Sequence, residues 1–155
     1  MRELRVGLIS DTHGLLRPQA LEALRGSDAI VHAGDIVDPA ILAALGAIAP
    51  LTAVRGNNDR GDWAGSLPET AVLALGGVRV FVVHDRAHLA RHPAAAGADV
   101  VVTGHSHQPV VERRDGILFV NPGSAGPRRF KLPVTVGRLD IAGGRAQAAI
   151  VALVV

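Results

Sequence analysis

A set of seven side chains able to bind a metal through nitrogen or oxygen stands in short clusters along the chain: Asp11 with His13, then Asp35, Asn57, His84, and His105 with His107. Asp11 and His13 are two residues apart, so in an extended chain they point the same way, and His105 and His107 repeat that spacing. Two carboxylates, four imidazoles and one carboxamide are too many donors for one ion. They suit two divalent ions about 3.5–4 Å apart that share a carboxylate, an arrangement that can hold a phosphate, bind a hydroxide and stabilise charge at the attacked phosphorus. The mixed nitrogen and oxygen set fits Mn²⁺, Fe, Zn²⁺ or Ni²⁺ and fits Mg²⁺ or Ca²⁺ poorly, because those prefer oxygen shells. There is no cysteine, which excludes disulfides, thiolate zinc sites, iron–sulfur ligation and a cysteine nucleophile.

Such donors need a scaffold that brings them to one place. Each cluster follows a short apolar run: Val6–Ile9, Ala29–Ala33, Leu51–Arg55, Val78–Val83 and Val100–Thr103, with Ile117–Val120 leading into Asn-Pro-Gly-Ser. Runs of this length fit strands buried on both faces. Helical spacing marks Pro18–Leu24. Asp38-Pro39 opens Pro39–Ile48 as a helix, with Asp as N-cap and Pro at the first position, and a third helical stretch, Ala87–Ala96, should break at Pro93. The order strand, helix, strand, helix, strand implies right-handed crossovers and a largely parallel first sheet. Ligands gather at the carboxyl ends of such strands. Later the chain turns to strands: Ala71–Leu75 and Val78–Val83 about Gly76-Gly77, Val110–Arg113 and Ile117–Val120 about Asp115-Gly116. Two last strands, near Thr135–Ile141 and Gln147–Leu153, flank Gly143-Gly144. Two packed sheets with helices outside them would house this many strands in one domain, residues 1–155.

A chain of 155 residues can bury roughly two-thirds of its unfolded surface. The net charge of +2 sits beside a pI of about 10.3 because no Tyr or Cys titrates between neutrality and arginine. All but one of the 16 basic residues are arginine, Lys131 being the exception. Arginine suits phosphate recognition, but base composition explains its abundance equally, so nucleic acid is weakly supported as a partner. Arg2 and Arg5 interrupt the only signal-like start. The run Ala148–Val155 is far short of the roughly 18 residues of a membrane span. The expectation is a soluble cytoplasmic protein with no membrane partner.

Asp11-x-His13, Gly34-Asp35, Gly56-Asn57-x-Asp59, His84 and Gly104-His105-x-His107 together resemble the calcineurin-like metallophosphoesterases. Within them the chain is similar to the short bacterial and archaeal phosphodiesterase group, which carries a segment like Asn121–Ser124. The resemblance runs from Val6 to about Arg128. It implies a four-layer α/β/β/α sandwich with two packed mixed β-sheets. It also implies a phosphoric ester hydrolase, a phosphodiesterase acting on a small phosphate ester through in-line attack by a metal-bound hydroxide. Asp11, His13 and His107 would hold one ion, Asn57, His84 and His105 the other, with Asp35 bridging. The catalytic set would be Asp35, Asn57, Asp59 and His84, Asp59 standing behind the ligands. Two divalent transition-metal ions per chain are expected, Mn²⁺ first, with Fe, Zn²⁺ or Ni²⁺ as alternatives.

Two positions depart from the family. Many relatives have histidine after the metal-binding asparagine, where this chain has Asn58; an amide cannot act as a general acid at neutral pH, so esters with poor leaving groups should react slowly. Asp85 replaces the glycine usual after the histidine at 84. His32 reads as a packed core histidine, and His88 and His92 as solvent-facing, with an approach of His88 to the site through the loop after His84 as the alternative. Trp63 reads as an anchor for the loop Gly61–Ser66, with stacking on a base as the alternative. Arg128 and Arg129 either contact substrate phosphate or sit on an exposed turn. Gln108 spoils a nucleophile elbow around Ser106, and no Walker motif is present. The rival functions are a phosphomonoesterase and a non-catalytic interaction scaffold of the same fold, as in the retromer subunit similar to this group.

Overall fold

The computed structural model describes residues 3–155; Arg2, used above in reading the amino terminus, lies outside them. The apolar runs form strands, and the strands form two five-stranded sheets. The first has the order β10-β9-β1-β2-β3, and the second β4-β5-β6-β8-β7. The first contains β1 (Leu4–Ile9), β2 (Ala29–His32), β3 (Leu51–Ala53), β9 (Thr135–Ala142) and β10 (Arg145–Ala152). The second contains β4 (Thr70–Leu75), β5 (Val78–Val83), β6 (Val100–Val102), β7 (Val110–Arg114) and β8 (Ile117–Asn121).

In the first sheet β1, β2 and β3 are parallel, as the strand–helix alternation requires, with Val6 opposite Ala29 and Ile30 opposite Leu51. The parallel part ends there. The last hairpin joins the same sheet, β9 running antiparallel to β1 with Leu4 opposite Ile141, so the sheet is mixed. The second sheet is parallel in its centre, β5-β6-β8, and antiparallel at both edges.

Alternation along the strands divides the core into layers. Val6 and Leu8 of β1, Val31 of β2, Leu139 and Ile141 of β9, Val80 and Val82 of β5 and Val100 and Val102 of β6 all point between the sheets. Ile9 and Ile30 point the other way, onto α1 (Pro18–Leu24) and α2 (Pro39–Gly46) through Ala20, Leu24, Ile41 and Leu45. Asp38 caps α2 as expected, accepting from Ala40 N at 2.9 Å. The outer face of the second sheet, Phe81, Val83 and Val101, packs under Leu89 and Ala95. Those residues lie on two 3₁₀ turns, Arg86–Arg91 and Pro93–Gly97, with the break at Pro93. The fourth layer is thus built of 3₁₀ turns rather than α-helix. Trp63 packs into the helix-side core and anchors its loop.

His32 is fully buried at the end of β2. Its Nδ1 accepts from Gly34 N–H at 3.0 Å, so Nε2 carries the proton and donates to Thr12 Oγ1 at 3.0 Å, which in turn donates to Ile36 O. Burial drives its pKa down to about 3, helped by positive charge at His84 and His13 and opposed by Asp11 and Asp35. The unfolded chain takes up this proton near pH 6.5 and the folded one only near 3, so acid favours unfolding throughout that window. Urea denaturation at pH 6.5 and pH 5.0, above the carboxylate range, should show wild type losing about 1.5 kcal/mol more than His32→Gln. Equal losses would mean that His32 does not stay neutral in the fold.

Candidate metal centre

The carboxyl ends of β1, β2, β3, β5 and β6 converge on one rim, and all seven donors lie there. The backbone that presents them is unusual. Asp11 (φ 54°), His13 (46°), Asp35 (58°), His105 (71°) and His107 (63°) are all left-handed. Asp and His are among the side chains that tolerate this region best, yet each instance costs roughly 1–2 kcal/mol and needs support.

The support is a hydrogen-bond frame. Asp59 Oδ1 accepts from Ile36 N and Val37 N, both at 2.8 Å, and Oδ2 accepts from Asp35 N at 3.0 Å and Gly56 N at 2.8 Å. Its carboxylate is fully occupied by backbone and supplies no atom to the donor cluster. A Cβ at Gly56 would overlap Asp35, so only glycine allows the two loops to close. The loop after β1 is tied to its neighbour by Asp11 N→Gly34 O and His13 N→Asp35 O. Asn121 Nδ2 donates to Gly104 O at 2.9 Å and to Ser106 Oγ at 3.1 Å, and Ser124 Oγ donates to Asp11 O at 3.0 Å. The resemblance marked the segment Asn121–Ser124 but not these bonds, since they link residues distant in the chain.

The donors fall into two adjoining groups. Asp11 Oδ1 is 3.7 Å from His13 Nε2 and 3.6 Å from His107 Nε2, and the two imidazole nitrogens are 3.3 Å apart. Donors about 2.1 Å from a common ion lie about 3.0–3.4 Å apart, so a small contraction would close this triangle on a cation. On the other side Asn57 Oδ1 is 3.0 Å from His84 Nε2 and 3.2 Å from His105 Nδ1. Asp35 Oδ2 stands between the groups, 3.6 Å from His13 Nε2 and 3.3 Å from His84 Nε2. Asp11 Oδ1 is buried and has no hydrogen-bond partner, a costly state for a carboxylate oxygen unless a cation meets it. That orphan atom, with the nitrogens around it, fits a divalent metal.

Hydrogen bonds set the protonation states. His84 Nδ1 donates to Ala33 O at 2.7 Å, which fixes the ring with Nε2 facing the other donors. Burial pulls the His84 pKa down, but Asp35 and Asp11 outweigh it and hold it above the ordinary value. For Asp35, burial pushes up, while the bonds from His84 and Asn58 more than reverse this and hold the carboxyl well below its usual range. Burial, with the charges of Arg129 and His13, lowers His107 against the pull of Asp11 and Asp35.

Asn58 is part of the frame. Its backbone N and side-chain Nδ2 donate to the two oxygens of Asp35 at 2.8 and 3.0 Å. His88 is half-buried rather than solvent-facing: its Nε2 lies 3.6 Å from Asp85 Oδ2, which is 3.8 Å from His105 Nε2. Both separations are longer than hydrogen bonds. His88 lines a cleft of about 250 Å³ beside the centre with Arg55, Asn57, Glu69, His84 and His105. His92 also turns inward, its Nε2 buried and its ring 6.1 Å from Phe81.

Two packed mixed sheets with Asp, Asn and His donors at one rim define a calcineurin-like phosphoesterase, and the chain belongs to that superfamily, whose domain matches residues 4–144. It is 35% identical to a probable metallophosphoesterase of Methanothermobacter thermautotrophicus, over 87% of this chain and 86% of that one. It is 32% identical to the phosphodiesterase YfcE of Escherichia coli, over 88% of each. In fold it is also similar to Vps29 of Chaetomium thermophilum, with a TM-score of 0.78 at 21% identity, covering 96% of this chain and 94% of that one. Members of the superfamily bind divalent metals, and the donor groups above are where this chain would do so.

Asp59→Ala should lower stability by about 4 kcal/mol, since it strips the acceptor from four buried or half-buried amides. Asp59→Asn, which keeps one oxygen, should lose about half as much. A loss below about 1 kcal/mol for the alanine variant in urea denaturation would show that the loops are held by something else.

Proposed function

We propose that the chain is a binuclear-metal-dependent phosphodiesterase that hydrolyses small phosphate esters. The observation that carries this reading is Asp35 Oδ2 standing between two donor groups, beside a buried Asp11 oxygen with no partner. Asp11, His13 and His107 would hold one divalent ion and Asn57, His84 and His105 the second, Asp35 being common to both. Ions held in this way, Mn²⁺ foremost, supply Lewis acidity toward phosphoryl oxygens and an activated water for in-line displacement.

The remaining steps belong to the chain itself. Asn58 fixes both oxygens of Asp35, and Ala33 O fixes the His84 ring, so the donors are oriented before any ligand arrives. No proton can come from the Asn58 amide at neutral pH, so diesters whose leaving groups depart without protonation are favoured. The likeness to Vps29 is one of fold. An interaction scaffold has no need of a complete donor set, and completeness supports the enzymatic reading.

Purified protein equilibrated with Mn²⁺ should approach two ions per chain and hydrolyse an aryl phosphodiester, and a chelator should abolish turnover. Asp35→Asn should weaken both sites and lower turnover by about 10³-fold or more. Glu22→Gln on the exposed face of α1 serves as the unaffected control. Saturation at one ion, or full activity without metal, would overturn the two-ion reading. Asn58→His should raise rates on alkyl diesters by up to about 10²-fold over those on aryl diesters. A uniform change on both would place the leaving group elsewhere.

A further inference from the structure

The four imidazoles at the rim are not held alike. The side chains of His13, His84 and His107 are 15%, 6% and 4% exposed, so packing limits where their rings can go. The His105 side chain is 47% exposed. Its backbone is fixed, by His105 N→Asp11 Oδ2 at 3.1 Å and by Gly104 N→His84 O at 2.9 Å. The ring itself meets His84 edge-on, with centroids 5.2 Å apart. A ring this open loses rotamer entropy when a ligand fixes it, unless another group has already set its direction.

The two nitrogens of that ring face different groups. Nδ1 lies 3.2 Å from Asn57 Oδ1, within the second donor group, and Nε2 lies 3.8 Å from Asp85 Oδ2. An imidazole meets a cation only through a nitrogen that carries no proton, and the bond made by the other nitrogen decides which one that is. An anion beside Nε2 holds the proton there and frees Nδ1 for the donor group.

Asp85 is fixed independently of His105. Its Oδ1 accepts from Ala87 N at 3.0 Å and caps the 3₁₀ turn Arg86–Arg91, and its backbone O accepts from His88 N at 2.9 Å. The next residue clamps this loop to the second sheet, the Arg86 guanidinium stacking 4.2 Å over the Phe119 ring and donating to Glu112 Oε1 at 2.8 Å. Oδ2 is left facing two imidazole nitrogens, His105 Nε2 and, at 3.6 Å, His88 Nε2. One carboxylate oxygen has lone pairs for both. Among the described residues Asp85 belongs to neither cluster of carboxylates and imidazoles that closes on one point, so it stands behind the donors rather than among them.

We propose that Asp85 is the positioning residue of His105: its Oδ2 accepts the Nε2 proton and turns Nδ1 toward Asn57 and His84. The inference rests on the reading of the rim as a two-ion centre, with His105 serving the second ion. Closing the pair to hydrogen-bond length takes a shift of about 0.8 Å, within reach of a half-exposed ring. The competing account of Asp85 is that it only caps its turn. The two are separable, because asparagine and serine also cap well and neither puts an anion beside His105.

Metal-free protein titrated with Mn²⁺ in a calorimeter should bind two ions. Asp85→Asn and Asp85→Ser should each weaken one of them about 10–100-fold and leave the other unchanged, with the thermal stability of the metal-free protein equal to that of wild type. Histidine-ring ¹H–¹⁵N spectra of metal-free wild type at about pH 8 should show His105 wholly as the Nε2–H tautomer. Both variants should show a mixture, because Asn57 Oδ1 then competes for a proton on Nδ1. Unchanged affinity for both ions, or equal losses at the two sites, would overturn the assignment. So would a His105 tautomer indifferent to the residue at 85. If wild type binds fewer than two ions, the two-ion reading fails, and the tautomer still decides whether Asp85 orients His105.

Discussion

The carboxylate of Asp59 is the point on which the rim depends. Four backbone amides from two loops converge on it, and among them are those of Asp35 and Val37, both held at positive φ. Without an anionic acceptor in that place, the loop after β2 would relax toward ordinary backbone and Asp35 would turn away from the other donors. The loop after β3 would lose its contact at the same time. One buried charge thus stabilises strain at several positions, and the hydrogen bonds it accepts are of the charge-assisted kind, stronger than neutral ones.

Electrostatics follow from that frame. Asp11 and Asp35 place negative charge in a buried space, and the four imidazoles around them are only partial compensation. Burial and the neighbouring positive groups depress His107, while the two carboxylates raise His84. The histidines are therefore unequal in the absence of metal, although they look alike in composition.

Much of this was legible in the sequence. The donors could be found because each follows a β-branched run, and the fold places the ends of those runs together. The N-cap at Asp38, the break at Pro93 and the Gly76-Gly77 hairpin also follow from local chemistry. The partner of the last hairpin did not, because alternation along β9 describes its two faces and says nothing about which strand lies beside it. The shortness of β3 was hidden too: Val54 and Arg55 continue the apolar run, but Arg55 N bonds to Pro68 O instead of to β2. Asp59 was placed behind the ligands by resemblance, and its four bonds were invisible because they depend on two loops meeting. The contacts of Asn58 were missed for the same reason, while His88 follows the alternative of an approach through the loop after His84, on a 3₁₀ turn rather than a helix.

The donors come from both sheets: Asp11, His13, Asp35 and Asn57 from loops of the first, and His84, His105 and His107 from loops of the second. During synthesis the ribosome releases Asp11 and His13 long before His107, and the β9–β10 hairpin that completes the first sheet comes later still. An ion arriving early would meet one carboxylate and one imidazole on a flexible strand end, a weak and unselective pair. The complete cage appears only once the two sheets have docked. A complete donor set therefore belongs to the finished molecule, and a chain stalled or truncated before residue 107 lacks it.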